Sequence, residues 1–450
     1  MATSSATKAG SVRSAPPGLD IFKTPENTMF YSANLYQSLD KSKQEIRLIE
    51  ISTQTGDDGI LECKLLPATL LTDARKQYLA LSYCAGDPTD TKEILVNGVR
   101  CKIFANLHHA LVLARQYWIR SSGEGQLRLW VDQLCINQHD LSERSHQVGF
   151  MREIYQSAER TLACLSTPTT SGEGLKWFND LCDAVTFQED HRPSQYDRKA
   201  ELGTEERDEI EGIARESDGL SDTNDDGHEN LRQTRIYVGD YLWDNMHVES
   251  LWWNRAWICQ EFLVSSQVTF MFGNHFVSWE QCWRTMRVFC GIRKDVLVRK
   301  KRFLKTLNKS GGHPEYRQLC HILDIFNQRD FNHQVRHVSM ALRMKIRWSG
   351  TMDIKALLSH SRSCKSSDDR DRVYAMLGLA SPGYQIFPDY SQDMTAAQVM
   401  IMTTKAIIDK EDSLNILMKA ATLVQSRNLD VPSWVVDWSS TEALDIETCF

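Results

Sequence analysis

Apolar positions along this chain alternate between two spacings. Continuous apolar runs at Tyr78–Tyr83 (YLALSY), Leu127–Val131 and Thr161–Ser166 (TLACLS) have the length of buried strands. Ile46–Ile51 and Leu61–Leu66 predict two shorter ones. Between the runs the period changes to 3.6. Leu107, Ala110, Leu111, Ala114 and Trp118 mark one helix face, with Asn106 placed to cap it. Val148, Met151, Tyr155 and Ala158 mark a second, opened by Asp140 and Glu143 spaced as a capping box. Strands alternating with helices predict parallel pairing through right-handed crossovers, hence an α/β fold.

Two hairpins interrupt this order. Glu93–Val96 and Val99–Phe104 flank Asn97-Gly98, the dipeptide that supplies both positive-φ positions of a type I′ turn. Val268–Phe272 and Phe276–Trp279 flank Gly273-Asn274 in the same way. Residues 1–28, rich in Ser, Ala and Pro, predict a disordered arm, and 29–290 an α/β core. Within that core an acidic insertion at about 189–230 buries little apolar surface. Residues 291–450 predict a mostly helical part, broken by basic stretches such as Arg299–Arg302.

Composition narrows the function class. The 450 residues are 42% hydrophobic, enough for a packed core. A net charge of -7 argues against nucleic acid or an anionic membrane as partner. The amino terminus has no continuous apolar run of signal-peptide type, and nothing approaches the apolar length of a membrane span. The twelve cysteines form no CxxC pair and read as free buried thiols in a cytoplasmic protein. No GxxxxGK[ST] or GxGxxG loop is present, and no histidine has metal-ligand spacing.

The most informative stretch is Leu129-Trp-Val-Asp-Gln-Leu-Cys-Ile-Asn-Gln-His-Asp140. An apolar run ends at Asp132 in polar residues and a capped helix follows, the order in which α/β proteins build crevices at strand carboxyl ends. This stretch belongs to a series of blocks: Ala80-Leu-Ser82-Tyr83 with Gly86; Leu129–Gln138 with Glu143, Arg144, Gln147 and Met151–Ala158; Trp252-Trp253-x-Arg255-x-Trp257 with Gln260-Glu261; Asp371–Leu379; and Pro432-Ser-Trp434 with Asp437-Trp438-Ser439. In this order they resemble the fungal heterokaryon incompatibility (HET) domain over roughly residues 78–440. The family usually reads LSYxWG, and this chain has Ala85 in place of that Trp.

The resemblance implies an intracellular effector of fungal non-self recognition, ending in programmed cell death, with self-association and an unknown protein partner. HET domains are in turn similar to Toll/interleukin-1 receptor (TIR) domains. That further likeness implies a flavodoxin-like parallel sheet and, in some lineages, cleavage of NAD. NAD would then be a substrate; no cofactor or metal is implied.

On that reading Glu261 is the candidate catalytic carboxylate. Loss of nicotinamide passes through an oxocarbenium-like state that a nearby carboxylate can stabilise. The alternative is a structural ion pair of Glu261 with Arg255. Tyr83, Asp132, Asn137 and Gln138 are candidate substrate-binding residues. Against this, a buried Tyr with a satisfied hydroxyl, an Asp capping backbone amides, and side-chain amides bracing the backbone are ordinary structural uses. Trp252, Trp253 and Trp257 cannot share one helix face, so at least one packs on the sheet while another could serve an interface. Cys135, with His139 and His146 near in sequence, lacks the orienting third group of a Cys/His nucleophile.

Overall fold

The computed structural model describes residues 21–51, 60–122, 125–169, 250–284, 329–423 and 427–439. The acidic insertion at 189–230 and the basic stretch at 299–302 lie outside these residues. Contacts divide the chain into two compact units. One comprises Met1–Gly172, Glu249–Trp279 and His337–Phe450; the other, Glu173–Val248 and Glu280–Arg336, lies mostly outside the described residues.

The first unit is built on a nine-stranded mixed sheet in the order β11-β10-β9-β5-β8-β2-β3-β6-β7. The strands are β2 (Ile49–Ile51), β3 (Glu62–Leu65), β5 (Leu79–Ser82), β6 (Thr91–Val96), β7 (Val99–Phe104), β8 (Leu127–Trp130), β9 (Arg160–Cys164), β10 (Val268–Phe272) and β11 (His275–Ser278). A separate antiparallel pair joins β1 (Glu45–Ile46) to β4 (Thr69–Leu70). The heart of the large sheet is parallel: β8, β5, β9 and β10 lie side by side. All four residues of β5 are buried, as expected of a parallel strand covered on both faces. Beyond β8 the pairing turns antiparallel through β2, where Glu50 stands opposite Arg128 and takes its guanidinium at 2.9 Å. By chain position the parallel strands read 2-1-3-4, the order whose first and third strands flank a crevice in doubly wound sheets. Here those strands are β5 and β9.

Both hairpins form. Asn97 and Gly98 take φ of 51° and 79°, and β10 pairs antiparallel with β11 across Gly273. The helices are α1 (Pro25–Ser32), α2 (Leu71–Ala74), α3 (Ala105–Ser122), α4 (Asp132–Cys135), α5 (Leu141–Gly149), α6 (Met151–Ser157), α7 (Ile258–Leu263), α8 (Arg329–Arg347), α9 (Ile354–Ser361), α10 (Asp371–Leu377), α11 (Ala396–Glu411) and α12 (Ile416–Thr422). The predominance of helix beyond residue 329 agrees with the expected helical carboxyl-terminal part.

Four local expectations are corrected. Helical structure starts within the stretch expected as an arm, because Thr24 caps Asn27 and Pro25 opens α1. Asn106 lies inside the first turn of α3 instead of capping it, and its Nδ2 donates to the Cys84 carbonyl at 3.0 Å. The helix after Asp140 is two helices, broken at Phe150 (φ -128°, ψ 26°). Its capping box is half formed: the Asp140 carboxylate accepts from the amides of Ser142 and Glu143, but the Glu143 carboxylate turns elsewhere.

Candidate functional site

Three family blocks meet at the carboxyl ends of the parallel strands. Ser82 ends β5, and Tyr83 follows it. Asp132 begins α4 one residue past Val131, where β8 gives out. Glu261 comes from far along the chain, on α7. Ser82 Oγ donates to Glu261 Oε2 and accepts the Trp252 indole N–H at 2.7 Å. Arg255 stands 3.7 Å from the same carboxylate oxygen and donates to the Tyr83 carbonyl. Tyr155 on α6 donates its hydroxyl to the Leu81 carbonyl at 3.2 Å. The Tyr83 hydroxyl makes a long 3.5 Å bond to Gln133 Oε1.

These groups share one electrostatic environment. Burial raises the Glu261 carboxyl above its ordinary range, and the charge of Asp132 adds to that. The Arg255 guanidinium and the Ser82 hydroxyl oppose the rise without cancelling it. Burial, then the Asp132 charge, pushes the Tyr83 phenol well above its ordinary range. Burial alone would lower Arg255, but Glu261 and other negative neighbours, Asp132 among them, outweigh it and raise that group. The carboxyl thus faces one cation, Arg255, and accepts a hydroxyl that the Trp252 indole in turn holds. Glu261 is only 3% exposed, and its partner Arg255 19%.

The remaining candidates divide by what their side chains touch. Asn137 Oδ1 accepts the His139 amide at 3.1 Å, and Gln138 Nε2 donates to the Asp132 carbonyl at 2.8 Å. Both amides thus brace the loop after β8. Asp132 Oδ1 accepts the Gln133 amide at 2.7 Å. Gly86, at φ 85°, lets the chain turn directly beside Asn106. Glu143 receives Arg47 at 2.6 and 3.0 Å and also the Asn137 amide. Gln147 donates to the Glu45 carbonyl, and Arg144 lies 3.9 Å over the Tyr390 ring. Trp253 packs on Trp252 and Phe270 at centroid distances of 4.9 and 5.1 Å. Trp257 hydrogen-bonds Asp371, which also accepts from the Tyr390 hydroxyl at 2.5 Å. Asp437 holds the amides of Asn428, Leu429 and Ser439, Trp438 is fully buried, and Trp434 is partly exposed.

Cys135 is excluded as a nucleophile: burial pushes its thiol up to about 12, and His139 stacks on Tyr31 instead. Arg47 escaped sequence reasoning. A cation in the apolar run Glu45-Ile-Arg-Leu-Ile was the available signal, since such a residue must find a buried anion. Eight described cysteines are free thiols. Among the described residues no group of three or more His, Cys, Asp or Glu side chains could hold a metal ion, and no helix is long and apolar enough to cross a membrane.

Residues 78–261, the span from the start of β5 to Glu261, match the family model described as heterokaryon incompatibility protein (HET). Over that span the chain is similar to the HET domain. It is also 27% identical over 435 residues to heterokaryon incompatibility protein 6, OR allele, of Neurospora crassa, covering 89% of this chain. The chain spans 59% of the length of that relative. No solved structure matches it. The HET span therefore begins and ends on the two strand-and-helix elements whose side chains, Ser82 and Glu261, bond to each other.

Proposed function

We propose that this protein acts in heterokaryon incompatibility, as an intracellular effector of non-self recognition whose self-association triggers cell death. The observation that carries this reading is the convergence of the HET blocks on the Ser82–Trp252–Arg255–Glu261 cluster. Within the described residues of the matched span these polar side chains are held by hydrogen bonds and an ion pair. The named relative from Neurospora crassa supplies the biological setting.

A second reading is a TIR-like NAD glycohydrolase with Glu261 as the carboxylate that stabilises charge on the ribose. It is favoured by the joint influence of Asp132 and Glu261 on Tyr83 and Arg255 at the carboxyl ends of the parallel strands. It requires opening, because a carboxylate that is 3% exposed is out of reach of a ribose in this state.

Expression of the chain and of Glu261→Gln in a fungal host, with viability and NAD content followed together, tests both readings. The effector reading expects loss of viability with the wild type; a folded, expressed protein that leaves viability intact overturns it. Loss of viability at constant NAD removes the enzymatic reading. Toxicity retained by a folded Glu261→Gln chain removes that residue from the mechanism. A toxic chain that stays monomeric by light scattering at high concentration removes the self-association step.

A further inference from the structure

The amino-terminal ends of the parallel strands, opposite the Ser82–Glu261 cluster, border a cavity of about 370 Å³. Tyr78 precedes β5, Glu159 precedes β9 and Arg128 is the second residue of β8. All three line the cavity, together with Trp118 near the carboxyl end of α3. Strand register sets their spacing. The Glu159 amide donates to the Tyr78 carbonyl at 2.9 Å on one side, and the pairing of Leu79 with Leu129 places Arg128 level with Tyr78 on the other. Arg128 and Glu159 therefore start two strand spacings apart, about 10 Å. The cavity meets solvent at Gln77, Gln126 and Glu159, which are exposed.

The groups around the cavity are partly committed to the fold. Arg128 donates Nε to the Glu50 carboxylate at 2.9 Å, which leaves the terminal nitrogens of its half-exposed guanidinium as donors. Gln77 donates Nε2 to the Asp73 carbonyl at 2.7 Å, which leaves its Oε1 as an acceptor. Tyr78 donates its hydroxyl to the Ile154 carbonyl and so offers the cavity its ring. The Trp118 indole N–H is buried without an acceptor, an unsatisfied donor on a residue that lines the cavity. Glu50 stands behind Arg128. Lys76, whose Nζ donates to the Ala158 carbonyl at 2.8 Å, stands beside Glu159, so these four charges sum to zero.

We infer that this cavity binds a free α-amino acid with a large apolar side chain, its carboxylate on Arg128, its ammonium on Glu159 and its side chain against the Trp118 ring. The site is distinct from the Glu261 cluster, and the inference goes beyond the incompatibility reading without depending on it. Other ligand classes fail on charge. An anion would pair with Arg128 but meet the Glu159 carboxylate, and a cation would pair with Glu159 but meet the guanidinium. A neutral apolar molecule would take water from both charged groups and return no bond to either. A zwitterion answers both, with the planar guanidinium fork matched to its carboxylate. The volume is that of a small-molecule site and exceeds what the charged end of an amino acid fills, so the rings of Trp118 and Tyr78 are left to cover an apolar side chain.

The test is isothermal titration calorimetry of the full chain with L-phenylalanine, with phenethylamine, which lacks the carboxylate, and with hydrocinnamate, which lacks the ammonium. The expected result is saturable binding of L-phenylalanine and several-fold weaker binding of both analogues. Arg128→Gln should abolish the preference for L-phenylalanine over phenethylamine, and Glu159→Gln the preference over hydrocinnamate. Because Arg128 also pairs with Glu50, the exposed Glu159 gives the decisive variant. Absence of binding up to the solubility limit of L-phenylalanine overturns the inference. So does either analogue binding as tightly as L-phenylalanine, or wild-type affinity retained in Glu159→Gln.

Discussion

Gly86 shows how much one residue constrains the turn after β5. Its φ of 85° is open to glycine, and a Cβ there would meet Asn106 Nδ2 at 2.5 Å. Gly86→Ala is expected to destabilise the protein by about 1–3 kcal/mol. Adding Asn106→Ala should recover only the steric part, because the backbone strain remains; full recovery in a denaturant titration would show that strain contributes nothing. Gly378 holds a different kind of position. A Cβ on it would lie 2.8 Å from Gln260 Oε1, so any larger residue there would have to displace the end of that side chain. Glu261 itself was visible in the sequence as the last residue of its block. Its neighbours were not all visible: the Arg255 pairing was one of two alternatives, while the Ser82 hydroxyl and Trp252 indole arrive from 179 and 9 positions away.

At the level of elements, α5 illustrates a cap and a buried ion pair acting at the same end. Asp140 accepts two amides at 3.0 Å, and Asp140→Ala should cost about 1 kcal/mol, as N-cap deletions do. Glu143, one turn on, accepts both terminal guanidinium nitrogens of Arg47, with both side chains almost fully buried. Glu143→Ala should cost more, about 3–5 kcal/mol, because it leaves Arg47 buried without its anion. Chemical denaturation of the two variants checks the order; an equal cost would mean that the Arg47 pair contributes nothing beyond the cap. The same comparison explains why spacing suggested a reciprocal capping box. Asp140 and Glu143 have the right separation, but a carboxylate placed within reach of a buried guanidinium makes the stronger, charge-assisted bond.

Across the whole molecule, the buried carboxyls shape the response to pH. With the folded carboxyl of Glu261 raised, folded and unfolded chains are both protonated well below the ordinary glutamate range and the group contributes no pH dependence there. As pH rises through that range the unfolded chain releases a proton that the folded chain retains. Stability due to this group is therefore lost with rising pH until the folded carboxyl also ionises. Asp371, raised by burial, acts in the same direction, whereas Asp368, whose carboxyl is lowered although burial alone would raise it, acts in the opposite one. The difference between wild type and Glu261→Gln isolates the effect. Urea titrations at pH 4 and pH 7 should show the wild type losing stability relative to the variant at the higher pH. A constant difference would mean that the Glu261 carboxyl is not raised in the folded protein.

By itself the sequence determined the elements whose signal is local. β5, β8 and β9 were legible as apolar runs, both hairpins as Asn-Gly or Gly-Asn turns, and the HET blocks as ordered residue strings. These follow from side-chain burial and turn stereochemistry over a few residues, which neighbours in the chain can specify. Tertiary structure alone decided the insertion of β2 and β3 between the parallel core and the first hairpin, the break at Phe150, and the partners of Glu143 and Glu261. The partners of both carboxylates are distant in the chain: Arg47 for Glu143 and Ser82 for Glu261. A buried polar group must be satisfied somewhere, but composition and spacing do not say by which residue. Only the packing of the sheet brings those partners within reach.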